Sequence, residues 1–218
     1  MHWHGIELES LPDGVPDWSG AGSNVLRAVP VGDSLVVRFT PPSAGTFMYH
    51  SHFNETRQIA AGLYGPIIVL PPGKTLDTSR DKVLIFGDDG PTDNVIFGPF
   101  PFARVNGKVN PDSVEMRVGV RYRLRLINIR TDYMMALALK LGEATTRWRI
   151  VAKDGADLGE SAVTETDARL NFGPGEIYDI EFTPRQTGNY ALDYSALVPQ
   201  QRPTSTRQYS VPLRVRDD

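Results

Sequence analysis

Residues 32–47 read Gly-Asp-Ser-Leu-Val-Val-Arg-Phe-Thr-Pro-Pro-Ser-Ala-Gly-Thr-Phe, and residues 175–190 read Gly-Glu-Ile-Tyr-Asp-Ile-Glu-Phe-Thr-Pro-Arg-Gln-Thr-Gly-Asn-Tyr. In each, an acidic residue lies six positions before a phenylalanine (Phe39, Phe182) and a glycine six after it (Gly45, Gly188). The apolar faces correspond as well: Leu35 with Tyr178, Val37 with Ile180, Phe39 with Phe182. One apolar and one polar face per segment is the pattern of a strand in an antiparallel sandwich. Two copies of one β unit predict two related domains. Turn formers meet polar residues over Pro71–Asp81, which sets the expected domains at 1–75 and 76–218.

The same alternation recurs elsewhere. Tyr122, Leu124 and Leu126 share a face opposite Arg121, Arg123 and Arg125, and the arginines read as a solvated face. Leu137, Leu139 and Leu141 repeat the pattern. Turn signals separate these runs: Pro12-Asp13-Gly14, Pro71-Pro72-Gly73, Asn106-Gly107, Asp154-Gly155 and Gly173-Pro174-Gly175. Asp88-Asp89-Gly90 reads as a further turn, and Met134-Met135 as core filling. No helix of three turns is predicted, and the best short one is Asn54–Ala61 behind an Asn cap. The expected fold class is all-β.

Composition narrows the function. The chain has 218 residues, 40% hydrophobic and 22% charged, enough to bury a core. Lys plus Arg is 23 and Asp plus Glu is 26, a net charge of -3, which argues against a nucleic-acid binder. The absence of cysteine excludes disulfides, thiolate zinc sites and a blue-copper site within this sequence. No apolar run is long enough for a membrane helix, and no signal peptide precedes His2. There is no Gly-x-Ser-x-Gly elbow, P-loop or His-Glu-x-x-His.

All four histidines fall into two His-x-His pairs, His2/His4 and His50/His52. In a strand, residues two apart point to the same side, about 6.5–7 Å apart at Cα. Each pair can therefore aim two imidazoles at one region, and imidazole suits copper, zinc, iron and nickel. Trp3, between two histidines, points the other way and reads as packing. The spacing leaves the metal open, since such pairs can chelate zinc in a hydrolase as readily as copper. In the second copy of the repeat, Asp193 and Ser195 stand where His50 and His52 stand in the first, so the predicted metal function is confined to the first unit.

His2-Trp3-His4-Gly5 followed by His50-Ser51-His52 resembles the first two copper motifs of the multicopper oxidases, the laccase-like enzymes. The flanks agree: Asp13-Gly14-Val15-Pro16, Ala44-Gly45-Thr46-Phe47-Met48-Tyr49, and Gly62-Leu63-Tyr64-Gly65-Pro66. Val105-Asn106-Gly107-Lys108, the run Tyr122–Asn128 and Asp154-Gly155 resemble the family's middle domain. The resemblance implies cupredoxin-like Greek-key sandwiches and oxidation of phenols or similar reductants coupled to reduction of O2 to water. It implies His2 as a type 2 copper ligand and His4, His50 and His52 as ligands of the type 3 pair. The family draws four more histidines and the type 1 copper site from a last domain, and neither set is in this sequence. It also implies strands ahead of the first histidine motif. The first sandwich is therefore expected to be N-terminally truncated, with an open edge, uncovered apolar surface and a His2 that is poorly held unless a metal, another chain or a packed neighbour fixes it. By resemblance the compartment is the periplasm or the outside of the cell.

Three functional classes follow. The first is a laccase-like oxidase represented by an incomplete chain, with little turnover as a monomer. A homo-oligomer, in which two copies pool eight histidines, is a variant of it. The second is a non-catalytic copper-binding module. The third is a zinc hydrolase using the same histidines, for which no obvious dedicated base lies near the motifs, though Glu7, Glu9 and Glu55 are nearby in sequence.

Overall fold

The computed structural model describes residues 1–88, 103–131, 134–197 and 209–217. Among these the chain is all-β apart from one helix, Glu55–Ala60, and a 3-10 turn, Leu11–Asp13. No helix among the described residues is long and apolar enough to cross a membrane.

The N-terminal unit is a three-stranded antiparallel sheet in the order His2–His4, Gly45–His50, Tyr64–Val69, with a small ribbon of Gly20–Ala21 and Asn24–Val25. An exposed link over residues 71–80 leads to a sandwich of two sheets. One sheet has the order Ala144–Thr145, Met135–Leu141, Gly188–Ala196, Tyr209–Arg216, Val114–Arg117. The other has the order Ala156–Asp157, Arg147–Lys153, Ile177–Phe182, Tyr122–Asn128, Asp81–Asp88, Ala103–Val105. Most pairings are antiparallel, but Asp81–Asp88 runs parallel to Tyr122–Asn128, and Val114–Arg117 parallel to Tyr209–Arg216.

The period-two faces meet between these sheets. Leu84, Phe86, Leu124, Leu126 and Ile180 from one pack with Leu137, Leu139, Leu192, Val211 and Leu213 from the other. The second sheet is buried on its back as well. Ile85, Ile127 and Ile177 point outward from the sandwich and meet Met48 and Ile59 of the N-terminal unit. A sheet covered on both faces loses its polar side, which is why Tyr122–Asn128 is buried at six of its seven positions.

This cover overturns the reading of the arginine face. Arg121 is exposed as expected, but Arg125 is only 5% exposed and Arg123 is half-buried. Arg125 Nε donates to Asp81 Oδ1 (2.9 Å), and Arg123 Nε donates to Asp179 Oδ2 (2.8 Å). Burying these guanidiniums is tolerable because carboxylates pair them.

Four further expectations change. Ser34–Thr40 forms no strand, although its sequence alternates. A strand's N–H and C=O groups need a neighbour, and no described strand pairs with this segment. Leu35 and Val36 are exposed there, as is Val31 just before it. Asp88 belongs to a buried strand and pairs with Arg130 at 2.8 Å instead of opening a turn, while Asp89 and Gly90 lie outside the described residues. The helix is real, but Asn54 sits in the left-handed region (φ 52) and makes no side-chain cap. Met135 is fully buried as core, whereas Met134 is exposed.

Candidate metal centre

Register brings the histidines together. His2–His4 pairs antiparallel with Gly45–His50, placing His2 opposite His50 and His4 opposite Met48. Directly opposed residues share a face and lie close, and alternation puts His4 on that face too. The ring centroids of His2 and His4 are 5.7 Å apart, those of His2 and His50 5.4 Å, and those of His4 and His50 5.4 Å. One nitrogen from each of these three lies within 4.8 Å of the others. His4 Nδ1 and His50 Nε2 face each other at 3.3 Å.

His52 arrives differently. It lies past the end of the strand, so alternation does not place it. Ser51 does: its N–H donates to Leu63 O (3.1 Å), and its hydroxyl donates to Phe53 O (3.1 Å) and also bonds Gln58 of the helix. The turn carries the His52 ring to 5.4 Å from His2 and 5.9 Å from His50.

Three of the rings are oriented through the nitrogen that points away from the cluster. His2 Nδ1 lies 3.1 Å from Asp13 O and 3.4 Å from Asp13 Oδ1. His50 Nδ1 donates to Ser51 O at 2.8 Å. His52 Nδ1 is 3.0 Å from Glu55 Oε1. Such partners fix ring orientation and leave Nε2 free to act as a ligand. His2 is thereby held by a packed neighbour, the condition under which a ligand this near the chain end would not fray. The Pro12-Asp13-Gly14 turn presses on its backbone so closely that a Cβ at Gly14 (φ 87) would collide with Met1 O. Trp3 points to the opposite side, as expected, with Nε1 donating to Pro12 O (2.9 Å) and its ring against Phe39 and Tyr49.

The C-terminal unit closes one side. A Cβ on Gly175 would lie 3.1 Å from His4 Cε1 and 3.3 Å from His4 Nε2, crowding the ring, at a φ of 82 that itself favours glycine. Burial, reinforced by the neighbouring His50 and His2, pushes His4 down to about 4, although Asp154 pulls the other way. Burial also pushes His50 down, opposing its bond to Ser51 O. Both imidazoles are therefore neutral at pH 7, the form a metal requires.

That depression has a measurable consequence. Between the ordinary 6.5 and about 4, the unfolded chain holds a proton on His4 that the folded chain does not. Stability from this source is complete above pH 6.5 and is lost as pH falls toward 4. Urea unfolding of the metal-free chain should show this loss, and His4→Asn should flatten the profile in that window. Parallel profiles for the two proteins would contradict a buried neutral His4.

The donor set fits copper. It is all nitrogen where three rings converge, and its outer partners are in place. Of the carboxylates considered as a hydrolytic base, Glu55 is engaged with His52, and Glu7 and Glu9 are exposed. The structure brings together the four histidines singled out in the sequence. Asp13, Glu55 and Gly175 were visible there only as members of turns or as a nearby carboxylate, and their places beside His2, His52 and His4 follow from the fold.

Residues 1–74 match the family described as "Multicopper oxidase". A laccase of Neurospora crassa is 30% identical over 210 residues, covering 87% of this chain and 32% of that protein. The blue copper oxidase of Nitrosomonas europaea superposes with a TM-score of 0.73 at 25% identity, covering 98% of this chain and 68% of that one. Lac15 from a marine microbial metagenome gives 0.69 at 31% identity, covering 99% and 51%. The all-β units are thus cupredoxin-like, residues 1–74 match the multicopper oxidase family, and the chain as a whole is similar to laccases and laccase-like multicopper oxidases. It spans about a third of the length of the curated laccases it matches. Among the metals imidazole suits, the family points to copper, and nothing in these matches points to zinc.

Proposed function

We propose that His2, His4, His50 and His52 hold copper as one part of the oxygen-reducing centre of a laccase-like oxidase acting on phenolic or similar reductants. The observation that carries this is the convergence of all four rings, each within 5.4 Å of another by ring centroid. His2 serves a type 2 position, and His4, His50 and His52 serve the type 3 pair. Copper, when bound, supplies the one-electron chemistry that couples oxidation of a reductant to reduction of O2. The chain's own residues bind and orient: Asp13, Ser51 O and Glu55 aim three rings, and burial keeps His4 and His50 unprotonated. Residues 1–75 form the ligand-bearing domain and 76–218 a ligand-free one, a division supported by the exposed link between the sheets. By family likeness the protein works outside the cytoplasm.

The chain has four histidines and no cysteine, so it carries neither a type 1 site nor the remaining histidines that the resemblance implies. Oxidase turnover then depends on ligands supplied by another polypeptide segment or another copy. The test is copper content per chain after loading and size fractionation, with dye oxidation measured on the same fraction. We expect about one or two coppers per chain, copper preferred over zinc, and little turnover of a phenolic dye by the monomer. No copper uptake would overturn the metal assignment. Brisk dye oxidation by copper-verified monomer would overturn the dependence on further ligands.

A further inference from the structure

Thr46, Met48 and His50 lie on one face of the same strand and are all buried. His50 closes the metal cluster at one end of this face. Thr46, at the other end, meets a set of charges from the C-terminal unit. Its hydroxyl donates to Asp179 Oδ2 (2.9 Å) and accepts from Arg125 Nη1 (2.6 Å). Arg125 Nη1 also donates to Asp179 Oδ2 at 2.9 Å, and its Nε donates to Asp81. Arg123 adds a further bond to Asp179. We infer that Thr46, Arg125 and Asp179 are positioning residues for the copper centre, a buried clamp by which the ligand-free unit sets the register of the strand that carries His50.

This inference rests on the copper reading of the histidines. It goes beyond that reading because none of the clamp residues touches the cluster. Side chains alternate along a strand, so a slip of one residue would turn Thr46 away from Asp179 and His50 away from His2 and His4. An apolar contact such as Met48 on Ile127 tolerates small slides, whereas a hydroxyl that both donates and accepts against fixed charges does not. Burying charges costs desolvation and is weak evidence for stability, and its best-attested use is fixing register. The backbone packs as closely at the same end. A Cβ on Gly45 would collide with Gly155 O, and one on Gly155 with Phe47.

The test uses the full chain with Thr46→Val, which keeps the shape and removes the hydroxyl, and Thr46→Ser, which keeps the hydroxyl. Copper(II) is titrated against a chromophoric chelator, and EPR spectra are taken at saturation. In metal-free protein, ring-to-ring NOEs between His2 and His50 are recorded. The clamp predicts copper binding about ten-fold weaker in T46V, a changed copper hyperfine pattern and a weakened His2–His50 NOE, with all three restored in T46S. A T46V protein that melts earlier but keeps wild-type affinity, EPR spectrum and NOE would overturn it, leaving an ion network that only stabilises. If wild type takes up no copper, the copper reading falls, and the metal-free NOE still decides the clamp.

Discussion

His50→Ala should reduce copper affinity by about 100-fold or more while leaving the fold intact. His50 is the hinge of the cluster. Its ring lies 5.4 Å from His2, 5.4 Å from His4 and 5.9 Å from His52. It is 7% exposed, its Nδ1 is committed to Ser51 O, and its Nε2 faces His4 Nδ1. On the proposed reading, alanine removes a copper ligand at the centre of the cluster. Outer-shell partners alone are worth about 10–100-fold in affinity, so a ligand at the centre should exceed that. The substitution sits at a strand end and removes an imidazole crowded by others, so its effect on stability should stay within about 1–2 kcal/mol. A competition titration read beside urea unfolding separates the two effects. Affinity within a few-fold of wild type would place the metal elsewhere.

Asp179→Ala should destabilise the protein by about 3–5 kcal/mol, the cost of stranding a buried partner charge. Asp179 is 1% exposed, and its Oδ2 receives Arg123, Arg125 and Thr46 at once. Without it, Arg125 keeps Asp81, but its Nη1 is left in a dry interior with only the Thr46 hydroxyl. Against a typical total of about 5–15 kcal/mol, that loss is a large share. Chemical denaturation should report a lower midpoint with an unchanged slope. A change below about 1 kcal/mol would mean that water reaches Arg125 when the carboxylate is gone.

Local signals in the sequence survived folding where a residue's own chemistry decides its conformation. Asn106-Gly107 and Asp154-Gly155 both take positive φ, as tight hairpin turns demand. His2 and His4 share a face because a strand has period two, whatever its neighbours. Readings failed where a partner distant in sequence decides. The arginines of Tyr122–Asn128 looked solvated because Asp81 and Asp179, 44 and 54 residues from Arg125, could not be seen as their partners. Ser34–Thr40 has the pattern of a strand, but pattern specifies faces and says nothing of a neighbour to bond with. The pairing of His2 with His50 is likewise a matter of register, so the histidine pairs were legible while their meeting was not. The repeat itself was informative in its departures. Where the first copy has His50, the second has Asp193, and there it pairs with Lys140 at 3.0 Å.

The sheet that contains Tyr122–Asn128 has protein on both sides, and this bears on modularity. Ile85, Ile127 and Ile177 are interior residues only because Met48 and Ile59 of the other unit lie over them. Excised at residue 76, the sandwich would carry that wall bare and sticky, with Arg125 and Asp179 newly wet beside it. The two units are therefore not interchangeable beads on a string. They share a partition, and evolution could exchange one of them only by redesigning the surface of the other.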